Sequence, residues 1–263
     1  MQISFFTKDD EQSKIVSASL RELLLKQGHE LNDEFPEIVI SVGGDGTFLR
    51  AAHHYLNRID EIIFIGVHTG TLGFFADYDK HNYEQIGDLL NDKSTTPSIY
   101  PLLQAKVTYE DSEVDVYAIN EIRIETPLHT LIANVEIDGT YLQTFRGNGL
   151  NVSTVLGSSG YNRSLGGAII DNTIQAIELS EIAGIHSNAY RSLGSPLVLN
   201  ANRKIFVKGN LSDAIIGYDH LHLPAKEAPI VSVLFKQSDK CVRFFHYNKH
   251  TFIDTLKQTF VQD

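Results

Sequence analysis

The sequence predicts a two-domain architecture: an N-terminal α/β domain with an open parallel sheet, followed by an all-β, sandwich-like domain. Three observations carry that expectation. Up to about residue 97, short β-branched runs alternate with segments of helical spacing. From Tyr100 onward, apolar residues recur in two-residue steps, as in Val114/Val116/Ala118 and Leu131/Ala133/Val135/Ile137. Asp138-Gly139 then supplies the pair that suits a two-residue hairpin turn. The expected domains are residues 1–97 (α/β), 98–247 (β-rich) and 248–263, a terminal helix packing back on the first domain. Asn91–Pro97 is the expected linker.

The elements follow in order. Ile3–Phe6 reads as a first strand, and Asp9–Lys26 as a helix with Ile15, Val16, Ser19, Leu20, Leu23 and Leu24 on one face. Gly28 is placed to cap its end. Ile38–Val42 and Ile62–Val67 are short β-branched runs of the kind buried on both faces of a parallel sheet. Between them Phe48, Leu49, Ala52, Tyr55 and Leu56 have helical spacing. Later strands are expected at Thr140–Phe145, Ile205–Val207, Ala214–Tyr218, Ile230–Leu234 and Val242–Phe245, and a terminal helix over His250–Val261.

Composition removes several function classes. The 263 residues carry 22 Lys and Arg against 33 Asp and Glu, a net charge of −11. Such a surface repels nucleic-acid phosphates and anionic lipid. No run approaches the roughly 20 apolar residues of a membrane span, and Met1–Phe6 lacks the pattern of a secretory signal. A cytoplasmic location is expected. Cys241 is the only cysteine, so neither an internal disulfide nor a cysteine zinc cage is available.

The chemistry gathers at Gly43-Gly44-Asp45-Gly46-Thr47, which joins a buried strand to a helix. Glycine lets backbone approach a ligand closely, and amides opening a helix favour an anion. A carboxylate repels phosphate, so Asp45 implies a second role, in which it accepts a proton from, or orients, a hydroxyl that attacks phosphorus. Helix capping is the bland alternative. A P-loop is excluded by the missing Gly-Lys-Ser/Thr, and a dinucleotide fingerprint by Leu49 where a third glycine is required.

Together with this turn, His68–Phe74, Asn120-Glu121, Phe145–Leu150 and Tyr161–Ala168 resemble the motifs of the NAD kinase family, in order, with a weaker echo at Asp219-His220. The resemblance implies a two-domain NAD kinase-like architecture and transfer of the ATP γ-phosphoryl group to the adenosine-ribose 2′-hydroxyl of NAD, with Mg²⁺ or another divalent cation arriving with ATP. It implies Asp45 as the base and Asn120 and Glu121 as holders of the ribose. Gly44, Gly46, Phe74, Arg146, Asn148, Ser159, Gly160, Tyr161, Asn162, Arg163, Ser164, Ala183 and His220 are the other implied substrate contacts. No metal ligand is implied, and a homodimer or homotetramer is.

The chain departs from the family pattern at Asn148, where an aspartate is usual, and at Val155, Leu156 and Gly160, where proline, threonine and alanine are usual. Two readings compete with an NAD kinase: a lipid or sugar kinase sharing the glycine-aspartate turn, and a non-catalytic or slow dinucleotide sensor.

Overall fold

The computed structural model describes residues 1–92, 94–187, 190–246 and 251–261. Two compact units are present, Met1–Tyr100 with Lys240–Asp263, and Pro101–Asp239.

The first unit contains β1 (Gln2–Thr7), α1 (Glu11–Lys26), β2 (Glu30–Leu31), β3 (Ile38–Val42), α2 (Asp45–His54), β4 (Ile63–Val67) and α3 (Gln85–Asn91). Its strands are parallel in the order β2-β1-β3-β4. Every residue of β3 is buried, as expected for a strand covered on both faces. Ile3, Phe5, Ile40 and Ile65 share one core with Val16, Leu20 and Leu24 of α1. Asp10 caps α1 by accepting the Ser13 N–H, and Gly28, at φ 85°, turns the chain at the far end. Phe48 of α2 stacks on Phe75 at 4.8 Å and meets Phe244 edge-on at 5.6 Å.

The second unit is built from β5 (Ser98–Tyr109), β6 (Glu113–Ala118), β7 (Glu121–Glu125), β8 (Leu131–Ile137), β9 (Thr140–Gly147), β10 (Gly149–Thr154), α4 (Tyr161–Ser164), β11 (Ala176–Ile182), β12 (Leu197–Asn200), β13 (Ile205–Leu211), β14 (Ile215–Tyr218), β15 (Leu221–His222) and β16 (Ile230–Phe244). One antiparallel sheet runs β16-β13-β8-β9 and another β12-β11-β10-β7-β14-β15. Both contribute to a single core: Val135, Phe145, Val207 and Phe235 from the first, Ile122, Ile124, Val152 and Leu179 from the second. The expected hairpin is present, with Asp138 at φ 49° and Gly139 at φ 79° between β8 and β9.

Several expectations are corrected. Ile230–Leu234 and Val242–Phe245 are one strand, β16, whose final residues Arg243 and Phe244 pair in parallel with β4. Through the polar stretch Lys236–Lys240 the strand runs on with Ser238 buried, and the buried positions change from Val233 and Phe235 to Ser238, Val242 and Phe244. The helix expected at Phe48 begins at Asp45. The terminal helix is short: α5 spans Phe252–Leu256 and passes into a π-helical turn, Lys257–Val261. His250 lies outside the described residues.

Phe145 is fully buried in the core of the second unit. Phe145→Ala is expected to cost about 3–5 kcal/mol, to be measured as a lowered denaturation midpoint.

Candidate functional site

In the first unit the site is organised around Asp45. Gly44 is the N-cap of α2 and Asp45 its first residue, so the carboxylate is not the cap. It accepts the Phe74 N–H at 2.9 Å and the Phe75 N–H at 3.1 Å. Three glycines make this possible. A Cβ at Gly73 would fall on the Asp45 carboxylate, one at Gly66 on the Phe75 carbonyl oxygen, and one at Gly43 on the Thr47 hydroxyl. Gly44 and Gly46 face open space instead, which leaves room for a ligand over the turn. Burial raises the proton affinity of Asp45, partly opposed by the two amides, and the neighbouring Asp77 raises it further. The Phe74 ring lies 5.6 Å from that of Phe260 and 6.3 Å from that of Phe252.

In the second unit Asn120 and Glu121 stand at the turn from β6 into β7, with Glu121 opening β7 rather than closing a strand. Asp219 holds this turn: its carboxylate accepts the N–H groups of Ile119 (2.9 Å), Asn120 (2.7 Å) and Glu121 (3.4 Å). From the other side Thr154 donates its hydroxyl to the Ile119 carbonyl (2.6 Å) and its N–H to the Asn120 carbonyl (2.8 Å). A Cβ on Gly157 would collide with the Asn120 backbone. Asn120 Oδ1 and Glu121 Oε2 are nonetheless buried with no hydrogen-bond partner among the described residues. Such orphaned acceptors are unusual and point to a ligand that completes them. The Glu121 carboxyl is pushed up to about 7, by burial first and then by Asp219, with Arg123 pulling the other way.

Arg123 ties this cluster together. It pairs with Glu121 at 3.2 Å and Glu125 at 3.3 Å, and lies 4.8 Å over the ring of Tyr161. Gly160 adjoins the pair, with a built Cβ 3.7 Å from Glu121 Oε2. The usual alanine would also press on the Gly157 carbonyl oxygen, at 3.3 Å.

Other expected contacts are placed differently. Asn162 is fully buried: its oxygen accepts from Asn151 (3.2 Å) and Ser180 (2.7 Å), and its nitrogen donates to Glu178 (2.7 Å). These bonds anchor α4. Ser164 ends α4 instead of capping its start, and is exposed, as are Arg163 and His220. Ser159 closes a short 3-10 turn and donates to the Leu156 carbonyl at 3.4 Å. Arg146 lies over the Tyr190 ring at 4.4 Å. Asn148 donates its amide to the Thr126 carbonyl at 3.2 Å, a bond that aspartate cannot make. Ala183 takes φ 45° just beyond β11, a conformation that turns the chain sharply and is costly for a residue with a Cβ.

Sequence reasoning placed Asp219 and Gly73 in segments that resemble the family's motifs, but assigned no organising role to them or to Thr154. In the structure Asp219 adopts φ 48°. Among the described residues no three His, Cys, Asp or Glu side chains group to hold a metal ion, and no helix is long and apolar enough to cross a membrane.

A family model described as the ATP-NAD kinase N-terminal domain matches residues 3–94, and one described as the ATP-NAD kinase C-terminal domain matches residues 115–239. NAD kinase 1 of Bacillus subtilis (strain 168) is 39% identical over 264 residues, spanning 99% of this chain and 98% of its own. NAD kinase 1 of Bacillus anthracis is 37% identical over 266 residues, 100% of each. Among solved structures, yeast NADH kinase complexed with NADH matches with a TM-score of 0.83 at 16% identity, covering 100% of this chain and 89% of that one. An NAD kinase from Archaeoglobus fulgidus in complex with ATP gives 0.76 at 24% identity, covering 95% of each. These two are likenesses of fold.

The ionisation of Glu121 has a stability consequence. Its folded pKa lies above the ordinary 4.5, at about 7, so the folded chain binds this proton more tightly than the unfolded one. Stability from that proton is fully present below about pH 4.5 and is lost as pH rises through about 7. Glu121→Gln is therefore expected to stabilise the protein by up to about 3 kcal/mol at pH 8.5, with little gain at pH 4.5. Thermal midpoints at the two pH values measure it.

Proposed function

The chain belongs to the NAD kinase family, and on that premise we propose how its residues carry out the reaction. The activity is ATP-dependent phosphorylation of NAD at the adenosine-ribose 2′-hydroxyl, giving NADP. Family membership along the whole chain supports this activity, not a lipid kinase, a sugar kinase or a non-catalytic sensor.

Asp45 is the base in this reading. As the 2′-oxygen forms its bond to the γ-phosphorus, the hydroxyl proton passes to an Asp45 oxygen and the bond to the β-phosphate oxygen breaks, releasing ADP. An alcohol holds its proton too tightly at neutral pH for earlier removal. The observation that carries this role is the pair of amide bonds from Phe74 and Phe75. They fix the carboxylate's orientation while each oxygen keeps a lone pair for the substrate, and burial raises its appetite for a proton.

Asn120 and Glu121 hold the ribose, their orphaned oxygens accepting from its hydroxyls. Gly44 and Gly46 give the nucleotide its close approach to the turn, and Phe74, Gly160 and Tyr161 are further substrate contacts. Arg146 holds a substrate phosphate, with Tyr190 supporting the guanidinium. Asn148 and Ala183 contact a base through the backbone of the β9–β10 turn and the segment after β11. Ser159, Arg163, Ser164 and His220 serve the outer parts of the substrate, and Asn162 acts by anchoring α4.

A divalent cation fits this scheme as part of the nucleotide substrate, carried by the phosphates and neutralising their charge. The scattered carboxylates provide no cage for a resident ion among the described residues. Assembly as a homodimer or homotetramer also belongs to the reading, supported by apolar side chains exposed on β8 and β9, Ile132, Tyr141 and Leu142.

Purified protein with NAD, ATP and Mg²⁺ is expected to form NADP, read with an NADP-specific dehydrogenase; no product would refute the assignment. Asp45→Asn is expected to lower kcat by about 10²–10⁴ with NAD affinity nearly intact, and an equal loss in both would remove Asp45 from the chemistry. Because the base must be ionised, kcat should fall as pH drops through the raised Asp45 pKa.

A further inference from the structure

We propose that Asp219 is a positioning residue for catalysis, its carboxylate setting the main-chain turn that aims Asn120 and Glu121 at the ribose. This rests on the reading that those two residues hold the ribose.

The geometry is a closed lock. Ile119 and Asn120 fall between β6 and β7, where a turn needs another source of acceptors for its N–H groups. Asp219 supplies it: Oδ2 accepts from Ile119, and Oδ1 from Asn120 and Glu121. The Asp219 N–H returns a bond to the Glu121 carbonyl at 3.0 Å. Thr154 occupies the carbonyls of Ile119 and Asn120 from the opposite side. With the turn's backbone satisfied in this way, Asn120 Oδ1 and Glu121 Oε2 are the buried acceptors left without a partner. A backbone turn held on both sides cannot swing them toward one.

The conformation of Asp219 belongs to the same device. At φ 48° it lies in the left-handed region, which among residues with a Cβ is tolerated best by Asp and Asn. There its main chain and its side chain engage the same three-residue turn. Its charge acts as well. Asp219 is the second-largest influence raising Glu121, after burial, while Arg123 opposes it and Glu125 adds to it. Tyr161, whose hydroxyl donates to Glu125 at 3.4 Å, completes the titratable and charged groups around Glu121. One residue therefore governs both where Glu121 points and when it is ionised. A residue serving stability alone would have neither effect on NAD.

The test compares Asp219→Asn and Asp219→Gly with Asn120→Ala and Glu121→Gln, using steady-state kinetics for both substrates across pH 5–9. Asn keeps the size and tolerates the left-handed φ, but offers one acceptor oxygen where the turn needs two. Gly removes the side chain and relieves the backbone. Both are expected to raise KM for NAD roughly ten-fold or more while changing KM for ATP by less than about two-fold. The pH dependence of KM for NAD should move to lower pH in both, because a negative neighbour of Glu121 is gone, and should vanish in Glu121→Gln. If Asn120→Ala and Glu121→Gln weaken NAD but folded Asp219 variants keep the wild-type KM and pH profile, positioning by Asp219 is overturned and the ribose reading stands. If Asn120→Ala and Glu121→Gln leave KM for NAD unchanged, the ribose reading fails and this proposal with it. Failure of both Asp219 variants to fold would make it a folding residue and overturn the proposal too.

Discussion

Main-chain amides that capture buried carboxylates are the interaction on which the rest of this molecule depends. A carboxylate removed from water keeps its charge only where other donors replace the lost hydration. Asp45 obtains two such donors from the segment after β4, and Asp219 three from the turn between β6 and β7. Glu178, fully buried, takes one from Ala168 and an amide bond from Asn162. In each case the backbone immobilises the acid and the acid in turn immobilises the backbone. Glu121 is the exception that marks the site, since one of its oxygens is buried and left incomplete.

What the sequence disclosed was local. The Gly43–Thr47 turn could be read because its strand, glycines, acid and helix are consecutive, and the burial of β3 because five apolar or small residues run together. The hairpin at Asp138-Gly139 was legible for the same reason. The use of Asp219 was not legible, although Asp219-His220 echoes the family pattern, because it acts on amides about a hundred positions earlier. Gly73 was legible as part of the His68–Phe74 motif, but not that it leaves the space which the Asp45 carboxylate fills. Asn162 shows a further side that lies outside local sequence. Its residue type and motif suggested a ligand contact, and its side chain is tied to Asn151, Glu178 and Ser180.

The departures from the family pattern have physical accounts. Val155 stands where proline is usual, yet it adopts φ −61°, the value that a proline ring imposes. The turn is held instead by hydrogen bonds: Gly157 N–H to the Thr154 hydroxyl, and the Ser158 hydroxyl to the Val155 carbonyl. Asn148 gains a donor that aspartate lacks and uses it on Thr126, so the lost charge is accompanied by a tie between the β9–β10 turn and the segment after β7.

The division of the chain has a consequence for its synthesis. The first unit is made of two separated segments, Met1–Tyr100 and Lys240–Asp263, with all of Pro101–Asp239 between them. The last strand partner of β4 is the end of β16. On the ribosome, the edge of β4 therefore waits on the order of ten seconds for its neighbour to be translated. The later-made unit is whole before the earlier-made one, reversing the usual N-terminal-first order, and during that interval an open β edge is the place where a chaperone would be needed.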